Sequence, residues 1–243
     1  TGNPEDVILH SDGKDHRVVE LGNAQAAVSS LVIENGYANT HEVYEPFPGG
    51  YGGGVRIRVG GGTLSNCVVR GCVKGNYNNG GGGVGIAAGA VDALVTHCVI
   101  SNCYNTAPAN AAYLGGGGAL SMCDGVVRNC LFTQNVRDEA TGGTWNRYGT
   151  ERIDGGTLEN CTIAGNSAGS GAGVWARGGS VVNCLIFGNK TTVEKDESLP
   201  VWAGDASLFS YCVSDVKINE RTDCKVIDTT PFVDAAKGDY RLA

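Results

Sequence analysis

One Cys-centred stretch returns again and again along this chain. It reads "LSNCVVRGC" (64–72), "VTHCVISNC" (95–103), "VRNCLFTQN" (127–135), "LENCTIAGN" (158–166) and "VVNCLIFGN" (181–189). "FSYCVSDVK" (209–217) is a decayed copy, and "VSSLVIENG" (28–36) is an earlier one with Leu31 in the Cys place. The leading cysteines stand at 67, 98, 130, 161, 184 and 212, at intervals of 31, 32, 31, 23 and 28 residues. A second strand-like run precedes most copies: "GGGVRIRVGG", "GGGGVGIAAG", "GGGGALSMCDG" and "GAGVWARGG". A fixed recurrence of this length marks a stack of similar units and constrains the fold before any single residue is read.

The shortest unit decides what kind of stack it is. Its 23 residues hold two or three short β-rich runs between Gly and Asn, with no helical period. Such a unit cannot bury an apolar face alone, but it can against its neighbour. The expected fold is therefore all-β: a right-handed parallel β-helix (a solenoid) of about seven coils, each ~4.8 Å from the next. The longer units are the same coil with a loop added. Glycine supports this: 39 of 243 residues, about twice the ordinary share, in runs that suit corners and close backbone stacking and not in the Gly-X-Y period of collagen.

In "LENCTIAGN", Leu158, Cys161 and Ile163 are expected inside, with a turn near Glu159-Asn160. Val69, Ile100, Phe132 and Ile186 match Ile163. Cys67, Cys98, Cys130, Cys161 and Cys184 then form an internal ladder of small apolar side chains. Asn135, Asn166 and Asn189 form a second ladder at a corner, where Asn tolerates the left-handed conformation and bonds its neighbours. The Cβ vectors of stacked rungs run parallel, which is poor disulfide geometry, so the ladder thiols are expected to be free. Cys72 with Cys103 and Cys212 with Cys224 are the better-placed pairs. There is no CxxC pair, and His10, His16, His41 and His97 do not cluster with Cys, so no zinc site is expected.

At this point the chain resembles bacterial right-handed parallel β-helix proteins of the pectate-lyase-like superfamily. The repeated Asn-Cys coil signature over roughly 60–190 carries the resemblance. "GGAL" (117–120) followed by "FTQN" (132–135) is similar to the paired motifs of polymorphic outer-membrane adhesins, and "TPFVDAAKGDYRLA" (230–243) resembles the segment closing many secreted β-helix regions. The resemblance implies a bacterial surface or secreted protein, extracellular in location. It does not choose among lyases, hydrolases, adhesins and phage proteins. The expected organisation is a single domain over 1–243, with an N-terminal coil region (1–36), central coils (37–217) and a closing segment (218–243), as a piece of a larger protein. "TGNPEDVILH" lacks the charged and apolar regions of a signal peptide.

Function is expected outside the repeat. Net charge is −7 with no basic run, which argues against a nucleic-acid partner; no apolar run is long enough for a membrane-spanning helix. Loops at 37–50, 73–79, 104–114, 136–150 and 190–205 leave from one corner and hold Tyr37, Tyr44, Phe47, Tyr77, Tyr104, Tyr113, Trp145, Tyr148 and Trp202. Such rings suit a partly wet stacking platform or fold back as loop cores. On the Gly-rich strand, Val55, Ile57, Val174 and Ala176 inward put Arg56, Arg58, Trp175 and Arg177 outward. Arg152 and Asp154 of "ERID" fall on the equivalent strand. Arg58, Asp154 and Arg177 then align, interrupted by Ala87 and Met122, with Leu120 and Met122 making the centre apolar. Such a groove suits a glycan. The ligand-binding candidates are Arg56, Arg58, Trp145, Tyr148, Trp175, Arg177 and Trp202.

Three readings follow: adhesion or binding of a polysaccharide or host-cell glycan; a polysaccharide lyase or glycoside hydrolase acting on an acidic polysaccharide, with catalytic candidates Arg152, Asp154 and Arg177; and a spacer rod. Elimination needs a base beside a charge neutraliser such as calcium held by clustered carboxylates, and inverting hydrolysis needs two spaced carboxyls. Only Asp154 stands on the groove strand. The first reading is therefore preferred, without cofactor, calcium being the ion an enzyme here would take.

Overall fold

The computed structural model describes residues 6–12, 16–38, 51–75, 80–106, 116–138, 149–169, 171–192, 202–218 and 221–243. Its strands stack into parallel sheets running the length of a rod. One coil shows the path: Val55–Ile57 lies in sheet I, Gly62–Ser65 in sheet II, Val68–Arg70 in sheet III and Val73–Gly75 in sheet IV. Among the described residues, sheets I and II have seven strands each, sheet III nine and sheet IV six. Sheet I runs Val19–Leu21, Val55–Ile57, Val84–Ile86, Leu120–Met122, Glu151–Ile153, Val174–Ala176 and Trp202–Gly204. The β-helix expected from the repeat is the observed fold.

The starts of the expected loops are corrected. They are strands of sheet IV: Tyr37–Ala38, Val73–Gly75, Tyr104–Thr106, Val136–Asp138 and Lys190–Thr191. These strands are short, and Lys74, Asn105 and Arg137, registered with one another, are buried there. A polar inward column hides the alternation by which a strand is recognised. Tyr44, Phe47, Tyr77, Tyr113, Trp145 and Tyr148 lie outside the described residues.

The "NC" pair is the corner between sheets II and III. Asn66, His97, Asn129, Asn160 and Asn183 all have φ between 50° and 54°, and Ser30 and Tyr211 take the same place in the end coils. Asn is the side chain that enters this region most readily. The Cys that follows turns inward. Leu158, Cys161 and Ile163 are all buried, as are Val69, Ile100, Phe132 and Ile186. Each ladder thiol donates toward the carbonyl two residues back, as Cys161 does to Glu159 at 3.2 Å. None of the ten cysteines forms a disulfide. Cys72 and Cys103 are therefore unbridged rungs, with thiols turned to the preceding coil's Ile33 and Val69 carbonyls, and Cys212 and Cys224 are unbridged too. Burial pushes the Cys161 thiol well above its ordinary range.

The corner Asn ladder forms, by a different conformation from the one expected. The left-handed residues are Gln134, Gly165 and Gly188, one place before each Asn. Asn135, Asn166 and Asn189 are instead buried. Asn135 Nδ2 donates to Asn166 Oδ1 at 3.0 Å, and Asn166 Nδ2 to Asn189 Oδ1 at 3.0 Å. Those oxygens also accept from the backbone N–H of Asn135 and Asn166. Every buried amide is thereby paired, as a low-dielectric corner requires. The Gly runs mark the closest backbone approach: a Cβ on Gly82 would sit 2.1 Å from the Gly118 carbonyl oxygen.

Candidate functional site

Sheet I carries the candidate site. Its inward columns are Val55, Val84, Leu120, Glu151, Val174 and Ile57, Ile86, Met122, Ile153, Ala176, all buried. Between them, registered Glu20, Arg56, Gly85, Ser121, Arg152 and Trp175 form a column of opposite facing. One residue beyond the strands, Arg58, Ala87, Cys123, Asp154, Arg177 and Asp205 repeat a single backbone bond to the coil before, as in Cys123 N–H to Ile86 O and Arg177 N–H to Ile153 O. The expected interruption by Met122 is thus corrected: Met122 belongs to the core and Cys123 stands in the outer column. Leu120 is core as well, so the groove's centre is made by Gly85, Ala87, Ser121 and Cys123.

The charged residues gather into two clusters and not one continuous groove. At one end Asp154 joins two arginines: Arg152 Nε lies 2.8 Å from Oδ2, and Arg177 Nε 3.1 Å from Oδ1. The Arg152 and Arg177 guanidinium carbons lie 5.3 and 5.8 Å from the centroid of the Trp175 ring, within cation–π range. At the other end Glu20 faces Arg17, Arg58 at 3.0 Å and Arg56 at 3.7 Å, while Arg56 covers the Tyr51 ring at 4.7 Å. Burial works to raise the Glu20 carboxyl, but hydrogen bonds from Arg58 and Arg17 outweigh it and hold the group below its ordinary range. Three coil steps, ~14 Å at ~4.8 Å each, separate Arg56 from Arg152.

Exposure divides these residues by role. The Arg152 and Asp154 side chains are 3% and 6% exposed, and that of Arg177 is 58% exposed. Arg56 is buried, so of the expected ligand contacts it is a support and not a surface. Arg58 and Arg177 are open and Trp175 is half-buried. Trp202 lies in the last strand of sheet I, and Trp145 and Tyr148 fall outside the described residues. Among the described residues no three His, Cys, Asp or Glu side chains converge to hold a metal ion, and no helix is long and apolar enough to cross a membrane.

The right-handed β-helix region family matches residues 22–214. This chain belongs to that family. No curated protein and no solved structure matches it significantly.

Within this β-helix, three site residues escaped the sequence. Tyr51 and Glu20 complete the second cluster; the Gly-flanked Tyr51 and the alternation of "VEL" (19–21) were the available signals. Glu151, the first residue of "ERID", points into the core, fully buried. Its Oε2 lies 2.6 Å from Thr150 Oγ1, which is itself 2.6 Å from the Ala172 carbonyl oxygen, and Oε1 has no hydrogen-bond partner among the described residues. One hydroxyl hydrogen cannot serve both acceptors. Thr150 Oγ1 is the donor toward both Glu151 and Ala172, so neither acceptor is fully served. Burial pushes the carboxyl well above its ordinary value. Cys123, beside the Asp154 cluster, is pushed up to about 12, first by burial and then by the Asp154 charge.

Proposed function

We propose that this β-helix is a non-catalytic, extracellular domain of a bacterial surface or secreted protein that binds a polysaccharide or cell-surface glycan on sheet I. The observation that carries the reading is the fixed Trp175–Arg177 pair. Two guanidiniums, those of Arg152 and Arg177, lie within cation–π range of the Trp175 ring, and Asp154 pins both of them. Arg177 spends its Nε on Asp154 and presents the remainder of its guanidinium to solvent. An aromatic face beside a pre-oriented donor fork is the pairing that meets a sugar ring's apolar face and its oxygens together. Little side-chain entropy remains to be lost on binding.

The same contacts weigh against a lyase or hydrolase. Both oxygens of Asp154 already face guanidiniums, Glu151 lies in the core, and Asp205, in the same outer column, caps the turn Ala206–Leu208 by accepting from the Ser207 N–H. A general acid or base must reach the proton it moves, and each of these carboxyls is already engaged or buried. A glycan array on wild-type protein and on Trp175→Ala and Arg177→Ala variants tests the proposal. Binding that both substitutions weaken supports it. Absence of binding throughout leaves the spacer rod. Release of unsaturated sugar products, lost in Arg152→Ala, establishes the lyase instead.

A further inference from the structure

Elsewhere on the rod, the chain's last segment builds a cavity. Phe232–Asp234 and Asp239–Leu242 pair antiparallel around a short turn, Ala235–Lys237, capped by Asp234. This hairpin lies against the corner between sheets III and IV. Phe187 of the rod meets Phe232 edge-to-face at 6.0 Å, and Phe232 meets Tyr240 in the same way at 5.2 Å. The Tyr240 hydroxyl approaches the Gly165 corner so closely that a Cβ there would lie 2.5 Å from it. Rod and hairpin do not close completely. Between them lies a cavity of about 580 Å³ lined by Phe187, Lys190, Phe232, Val233, Asp234 and Tyr240, among others.

We propose that this cavity binds a small molecule with a planar apolar body and one anionic group, a carboxylate or sulfonate. Its volume falls in the range of small-molecule sites, and its lining has their composition: apolar walls with few polar groups. The three rings offer edges and faces to a flat body. The anionic preference comes from charge. Lys190 lies at the cavity, exposed, and its ammonium makes no ion pair or side-chain hydrogen bond among the described residues. The opposing carboxylate, Asp234, is already matched by Lys237 Nζ at 2.7 Å. The cavity therefore presents one unspent positive charge beside an apolar slot.

The probe is 8-anilinonaphthalene-1-sulfonate, titrated into the full chain and followed by fluorescence, with 3-phenylpropionate as a competing carboxylate. Saturable one-site binding displaced by phenylpropionate is expected. Lys190→Glu should weaken it about tenfold, attraction having become repulsion at a partly screened site, while Lys190→Arg stays within about threefold. Ala235→Trp should fill the slot and abolish binding, with the melting temperature of each variant as a folding control. Trp175→Ala should leave probe binding unchanged, which separates this site from the one on sheet I. Non-saturable binding, or equal binding by wild type, Lys190→Glu and folded Ala235→Trp, would overturn the proposal.

Discussion

At the sheet III corners, one position carries Cys72, Cys103, Asn135, Asn166 and Asn189 in successive coils, and each side chain bonds to the coil before it. On the outer face of sheet I, registered positions carry Glu20, Arg56, Gly85, Ser121, Arg152 and Trp175. The backbone spacing is the same in both places. Where the coil must turn, buried polar groups have to be satisfied by the next rung, and few side chains do so. Where it runs straight, the buried outer-face side chains find different partners, as Arg56 does with Glu20 and Tyr51 and Arg152 with Asp154 and Trp175, and the residue differs from coil to coil. Repetition therefore marks what holds the rod together, and its interruption marks where a ligand can be told apart.

The contrast can be tested by substitution, starting with the core. Phe132→Ala empties a fully buried site and should cost about 3–5 kcal/mol in denaturant unfolding. Asn166→Ala should cost about 2–4 kcal/mol, because the backbone N–H and amide of Asn135 lose their shared acceptor, Asn166 Oδ1, and the Phe132 carbonyl loses its donor. If this variant melts like wild type, the ladder does not hold the corner. Glu151 should give a pH signature. Its folded-state pKa lies above the ~4.3 of an ordinary Glu, so its contribution is full below that value and is lost as pH rises through the folded pKa. Wild-type stability should fall between pH 5 and pH 8 relative to Glu151→Gln, and Glu151→Leu should be the more stable protein at pH 8 by about 1–2 kcal/mol. A flat difference would show that the carboxyl is ionised in the fold. Smallest among the scaffold changes, Asn160→Val should cost about 1–2 kcal/mol for its positive φ, while Asn160→Gly should be nearly silent.

How much was legible follows from the same contrast. The coil repeat, the inward Cys rungs and the apolar column through Phe132 and Ile163 could be read because each recurs. Sheet IV could not, since its inward residues Lys74, Asn105 and Arg137 look like those of a loop. The Asn-Cys pair was assigned correctly to a corner, but the left-handed residue of the next corner was placed one position late, on Asn166 and not on Gly165. On sheet I a one-residue shift put Met122 outside and Cys123 out of view; in a strand such a slip reverses every facing. Nothing local to "ERID" shows that its first residue, Glu151, stands between Leu120 and Val174 in a core column. The clusters themselves rest on neighbours 23 to 38 residues apart, such as Arg177 with Asp154 and Arg58 with Glu20, and one sequence shows such pairs only after its register is known.

The division between scaffold and contact surface comes down to Trp175. Calorimetric titration of the best array glycan into Trp175→Ala, alongside its unfolding curve, measures both halves at once. The account predicts a stability change under about 1 kcal/mol, the scale of an exposed cation–π contact, with glycan affinity reduced about tenfold or more. Unchanged affinity in a folded Trp175→Ala protein would contradict it and remove sheet I as the binding face.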